Sequence, residues 1–295
     1  MRVMCAVGVV LCLTTASSLA QQQVQVFVAV EDAAGAVPAA LDPAALQVVE
    51  EGANLKVVKV EPVTGWPTKV QILLDNGIGL GGENLIHMRN GLRGLLEALP
   101  AGVEVTIVTT SPQPRAMVRA TTDKAAMLKG VDLLAPDNSA GRFVESLSEA
   151  LQRIEKDKSN HFPTIVSIGS SAGDRNVMER DIERIQKSII GRPTTIHVTI
   201  LTSPGRTASQ GAVQGELGIG VAKMTGGRFE NIAAPSRLAT LMPELGAQIA
   251  ASHQKQSSQF RITVERPNAA APVGGISVSA RGVKVTGVSY DGRHP

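Results

Sequence analysis

The chain has 295 residues, 43% of them hydrophobic and 19% charged, with a formal net charge of +3 and a pI near 9.0. Aromatic residues are only 2%, and lysines and arginines are scattered among acids, so the basic, aromatic-rich surfaces that grip nucleic acid are not expected. Both cysteines, Cys5 and Cys12, lie in the first 20 residues, so a chain cleaved after them would have no disulfide, no thiol chemistry and no Cys-ligated metal.

Those 20 residues read as a secretory leader. Arg2 gives a positive start, residues 7–13 form an apolar core, and Ser18-Leu19-Ala20 supplies small residues for a signal peptidase, so cleavage is expected after Ala20 and the protein is expected to be exported. The apolar run is too short and too near the start for a membrane span, and no later segment is long enough. Residues 21–66 read as β structure. VQVFVAVED alternates, AAGAVPAALDPA is turn-rich, and LQVVEEGANLKVVKVEP suggests two strands around Gly52-Ala53-Asn54. Trp66, the single tryptophan, is expected to pack where this segment meets the next.

From 67 to 256, strands and helices alternate. Val70, Ile72, Leu73 and Leu74 make a short apolar run of the kind buried on both faces of a parallel sheet. Asp75 sits where that strand ends, a glycine-rich turn follows, and Leu85, Met88, Leu92, Leu95 and Leu99 recur at helical spacing. VEVTIVTTS is the next strand, PRAMVRATT an edge strand and DKAAMLKGVDLL a short helix. Phe143, Leu147, Leu151 and Ile154 mark a helix, FPTIVSIG a buried strand, and Met178, Ile182, Ile185 and Ile189 another helix. TTIHVTIL, a helix through Val213, Leu217, Val221 and Met224, the short strand RFENI, and a helix through Leu238, Leu241, Leu245 and Ile249 complete the series. The expected fold class is α/β, a doubly wound, mostly parallel sheet with helices on both faces and β-rich N- and C-terminal flanks. From 257 to 295 the pattern returns to strands (QFRITVERP, ISVSA, VKVTGVSY), and this segment is expected to pair with 21–66.

This order of parts resembles a von Willebrand factor A domain, and is similar in particular to the secreted VWFA-related proteins common in acidobacteria. Those open with a segment like VQVFVAVEDAAGAVPAALDPAALQVVEEG and close with one like ISVSARGVKVTGVSYDG. The resemblance implies a protein-binding or adhesion module, with a metal-ion-dependent adhesion site of pattern D-x-S-x-S, a threonine from a second loop and an aspartate from a third. A hard cation such as Mg²⁺ takes such oxygen ligands in octahedral array. Here the first element reads Asp75-Asn76-Gly77-Ile78-Gly79, with glycine at both serine positions. The threonine position falls at Gly141 and the second aspartate at Ser170, with Asp174 four residues further on. Asp75 is thus the one surviving metal-ligand position, and the expectation is a degenerate site with no cofactor. Asp75 is expected instead to anchor its loop by accepting backbone N–H bonds at the helix start. An unorthodox Mg²⁺ site built from Ser139, Ser170 and Asp174 is the alternative within the binding class.

Two other motifs compete. Gly77, Gly79 and Gly82 spell the G-x-G-x-x-G of a dinucleotide site, but the next strand ends Val108-Thr109-Thr110-Ser111 without the acid that would hold a ribose, which leaves a flexible glycine turn. Gly169-Ser170-Ser171-Ala172-Gly173 spells the nucleophile elbow G-x-S-x-G, with Ser171 as nucleophile of a serine hydrolase. That reading needs a later acid and histidine; the next strand ends without an acid, His197 lies inside it, His253 at a helix end, and His294, with Asp291 close by, near the end of the chain. His87 and His161 are expected to be surface or loop residues. The sequence therefore points to a non-catalytic exported binding module with an unidentified protein partner. Its expected surface is the loops at 76–82, 139–142 and 170–174.

Overall fold

All nine residues of β7 (Phe162–Ser170) are buried, Thr164, Ser167 and Ser170 included, as expected of a largely apolar strand covered on both faces. The computed structural model describes residues 22–172, 179–202, 212–266 and 274–291. β7 lies at the middle of a six-stranded sheet with β4 (Thr68–Leu74), β5 (Glu104–Thr109), β6 (Arg115–Thr121), β8 (Thr195–Leu201) and β9 (Phe229–Ile232), in the order β6-β5-β4-β7-β8-β9. Five of these strands run parallel, and β6 is antiparallel at the edge. The link from β5 to β6 is too short for a crossover helix, so the chain turns back on itself.

Among the described residues, three helices cover each face. Val70, Ile72 and Leu74 of β4 share one core with α1 (Glu83–Ala98), α2 (Lys124–Asp132) and α6 (Leu238–Ser257). Leu73, on the other side of the same strand, joins α3 (Phe143–Lys156), α4 (Glu179–Gly191) and α5 (Ala212–Thr225). The helical periodicities place these apolar stripes, with Met88, Leu92 and Leu95 buried on α1 and Leu147, Leu151 and Ile154 on α3.

A second sheet makes the doubly wound parallel description only part of the architecture. It contains β1 (Gln22–Glu31), β2 (Leu46–Glu50), β3 (Ala53–Pro62), β10 (Phe260–Arg266), β11 (Ile276–Ala280) and β12 (Lys284–Asp291), in the order β11-β2-β3-β10-β1-β12, with every ladder antiparallel. Side chains of all six strands meet in one core, and β11 and β12 approach each other, so the sheet curls on itself. The β2–β3 turn sits at Glu51-Gly52, both with positive φ, and Glu50 pairs with Ala53. That is a two-residue hairpin, tighter than the turn expected at 52–54, because its twist matches the flanking strands. Arg266 of β10 reaches across β3 to Glu50 of β2 in a forked pair, Nε to Oε2 at 2.8 Å and Nη2 to Oε1 at 2.7 Å. Burial works against the Glu50 carboxylate, but Arg266 and the Gly274 N–H outweigh it and hold Glu50 below its ordinary range.

The two sheets meet at an aromatic cluster. Trp66 lies between Phe27 of β1 and Phe162 of β7, with ring centroids 5.5 and 5.6 Å away, and the Arg261 guanidinium stands 5.3 Å from its ring. Among the described residues no helix is long and apolar enough to cross a membrane.

Candidate functional site

The connection after β4 leads to α1 on one face, and that after β7 leads toward α4 on the other. The two strands are neighbours, so their carboxyl ends flank a topological switch point, the place where open α/β sheets bind ligands. Asp75 follows β4 at that point, with its carboxylate buried. Its own N–H donates to the Ile168 carbonyl of β7 at 2.9 Å, which fixes its position against the neighbouring strand.

Four donors surround the Asp75 carboxylate. Oδ1 accepts from the Gly77 N–H at 2.9 Å and the Ser111 hydroxyl at 3.4 Å. Oδ2 accepts from the Ser170 N–H at 3.1 Å and the Ser170 hydroxyl at 2.7 Å. Gly141 presses on the same group from a third loop: a Cβ there would lie 2.6 Å from Oδ2 and nearer still to Oδ1 and Cγ. Asp75, Gly141 and Ser170 therefore meet at one point. Asp174 lies outside the described residues.

The glycine turn after Asp75 is tightly packed at its start, at Gly77, whereas Gly81 and Gly82 face open space. A Cβ on Gly77 would fall 2.7 Å from Ser111 Oγ, 2.9 Å from Asp75 Oδ1 and closer to the Ser139 carbonyl. The amides at its start are used internally: Gly77 N–H on Asp75, and Ile78 N–H on the Ser139 carbonyl at 3.0 Å. A dinucleotide fingerprint would aim such amides at a pyrophosphate.

Asn76 joins the remaining loops. Its Oδ1 accepts from Ser111 N–H at 3.1 Å, its Nδ2 donates to the Ala135 carbonyl at 3.3 Å, and its carbonyl accepts from Asp137 N–H at 2.6 Å. Asp137 in turn accepts from the Ser139 N–H at 2.8 Å and from the Ser139 hydroxyl, bonds that hold its carboxyl below the ordinary range. Arg142 N–H donates to the Thr110 carbonyl at 3.2 Å, and its Nε to the Pro112 carbonyl at 3.1 Å. Neither Ser111 nor the linking role of Asn76 was read from the sequence. An Asn directly after a strand-terminal Asp is a recognisable loop signal, since short amides bond nearby backbone; Ser111 carries no such mark.

Among the described residues no three His, Cys, Asp or Glu side chains are gathered to hold a metal. Ser171 follows β7, with its N–H on the Leu201 carbonyl at 2.9 Å. His161 stands just before β7, at the opposite end of that strand, and His253 bonds Thr68, the first residue of the parallel strand β4. His197 lies within β8, where its Nδ1 accepts the Arg228 N–H at 3.0 Å. None of these three supports Ser171 as a nucleophile, and His294 lies outside the described residues. His87 is on α1, half-buried. His161 sits in the loop before β7 as expected, but it is buried rather than at the surface, with Arg192 packed on its ring at 3.0 Å. Burial and the Arg192 charge hold the His161 pKa down at about 4; burial and Arg228 do the same for His197.

No family model matches the sequence, and no curated protein matches it. Solved structures do resemble this one. A von Willebrand factor type A protein from Catenulispora acidiphila aligns at 11% identity with a TM-score of 0.52, over 93% of this chain and 74% of that one. The pilus adhesin SpaC from Lactobacillus rhamnosus GG aligns at 8% identity with a TM-score of 0.50, over 70% of this chain and 35% of that one. At such identities the likeness establishes the fold, and the fold of this chain is von Willebrand factor A-like.

Proposed function

We propose that the protein is an exported, non-catalytic binding module that recognises a protein partner at the rim formed by 76–82, 139–142 and 170–174, without a bound divalent cation. The observation that carries this reading is the state of Asp75. A hard cation needs a free carboxylate lone pair, open space at about 2 Å and further oxygens around it. At Asp75 both oxygens already accept two hydrogen bonds each, and the backbone of Gly141 stands against the carboxylate. An intramolecular latch thus takes the place of an ion, and the residues present do not fit Mg²⁺.

Recognition then falls to shape, backbone groups and the few side chains the rim exposes. Ile78 is 57% exposed in the first loop, and Arg142 stands exposed in the second. Arg142 also pairs with Glu145 at 3.5 Å, so an exposed apolar side chain on one loop and this partly compensated cation on another suit a partner that offers an apolar contact and a carboxylate. The fold alone is shared with the pilus adhesin, so the surface carries the reading rather than the likeness.

Four measurements test it. Calorimetric titration with Mg²⁺ or Mn²⁺ should give no binding heat, and a stoichiometric isotherm would overturn the metal-free rim. Affinity capture from the source cell envelope should return a protein that Ile78→Asp with Arg142→Glu fails to retain; equal retention would move the site elsewhere. The exported protein should begin at Gln21. Fluorophosphonate labelling should leave Ser171 unmodified, and an adduct there would make the chain a hydrolase.

A further inference from the structure

Beneath the Asp75 carboxylate, on the side covered by α3 and α5, lies a small cavity lined by Asp75, Thr110, Phe143, Ser167, Ser170 and Gln214. It leaves about 10 Å³ for the centre of a water-sized sphere, which is room for one water molecule. Thr110 is 3% exposed and Gln214 1% exposed. Among the described residues, the Thr110 hydroxyl and both polar atoms of the Gln214 amide have no hydrogen-bond partner. Buried hydroxyls and amides are almost always paired, and a polar cavity of this size fills with water where an apolar one stays dry.

We propose that a single ordered water occupies this cavity, held by the Gln214 amide and the Thr110 hydroxyl against the Asp75–Ser170 pair. Water brings two donors and two acceptors. It accepts from the Gln214 Nε2 and donates to a hydroxyl or carboxylate oxygen across the cavity, which serves donor and acceptor groups at once. Gln214 is in the first turn of α5. The water therefore ties α5 to the ends of β4, β5 and β7, and makes the start of that helix a fourth part of the latch. This inference is independent of whether the rim binds a partner.

A crystal structure of the protein at atomic resolution, with a second crystal soaked in Tl⁺, tests it. The expected result is one peak within hydrogen-bond distance of Thr110 Oγ1 and the Gln214 amide, without anomalous signal in Tl⁺. An anomalous peak would make the occupant a monovalent cation, and an empty cavity with Gln214 turned away would remove the site; either overturns the proposal. Gln214→Leu should lose the peak while the Asp75–Ser170 bonds remain. A peak at full occupancy in that variant would show that Gln214 does not hold the water, and would equally overturn it.

Discussion

A methyl group at position 141 has nowhere to go, because the Asp75 carboxylate is already there. Gly141→Ala is therefore expected to cost about 1–3 kcal/mol, the usual penalty for forcing an added carbon into a packed site. Asp75→Ala removes the acceptor from the Gly77 and Ser170 amides and the Ser170 hydroxyl together, and buried donors left unpaired should cost on the order of 3 kcal/mol. The double variant should cost less than the sum, since deleting the carboxylate makes room for the new Cβ. Urea denaturation of the four proteins measures this, and strict additivity would mean that the two residues do not press on each other. At this scale the sequence was partly legible. Asp75, Gly141 and Ser170 could be placed by the order of a known motif, and Asn76 by its type. Ser111, Thr110 and Gln214 could not, because Ser111 meets Asp75, and Thr110 and Gln214 line the cavity beside it, only when separate strands and a helix are brought side by side, and spacing along the chain records nothing of that.

Elements were read more fully than single residues. Largely apolar runs mark β4 and β7, helical spacing marks α1 and α3, and both signals come from burial alone. Pairing in the second sheet is harder to read, because β1 bonds to strands from the far end of the chain. The Glu50–Arg266 pair is the clearest example: its side chains are 10% and 4% exposed, and its partners lie on opposite sides of β3. Arg266→Met alone should cost about 3–5 kcal/mol, because it strands the Glu50 charge inside the curled sheet. Joining it to Glu50→Leu should recover most of that loss, since a hydrophobic pair of similar size replaces both charges. If the double variant is as unstable as the single one, the fork contributes more than mutual neutralisation. Thermal unfolding compares the two.

For the whole molecule, the two histidines buried among the described residues contribute to the response to acid between pH 6.5 and 4. In the unfolded chain each titrates near 6.5, whereas in the fold each is held at about 4. The unfolded state therefore binds protons first as pH falls. The stability that comes from keeping these rings neutral is complete above 6.5 and is lost progressively down to pH 4, by up to about 3 kcal/mol for each ring. Replacing both, as His161→Gln with His197→Gln, should flatten the decline between pH 6.5 and 4. An unchanged slope in denaturant titrations across that range would assign acid sensitivity to other groups. His161 does not act alone, for Asp157 and Lys69 face it beside Arg192, and Lys69 pairs with Asp157 at 2.8 Å.

The place of β1 between β10 and β12 also governs how the protein is made. This strand emerges early from the ribosome, yet both of its neighbours come after the entire α/β portion has been synthesised. Until then its two flanks carry unsatisfied backbone amides and carbonyls, and Val24, Val26 and Val28 lack the cover they have in the finished sheet. Nascent chains should consequently depend on a holding chaperone, and release from it should coincide with translation of β10 and β12.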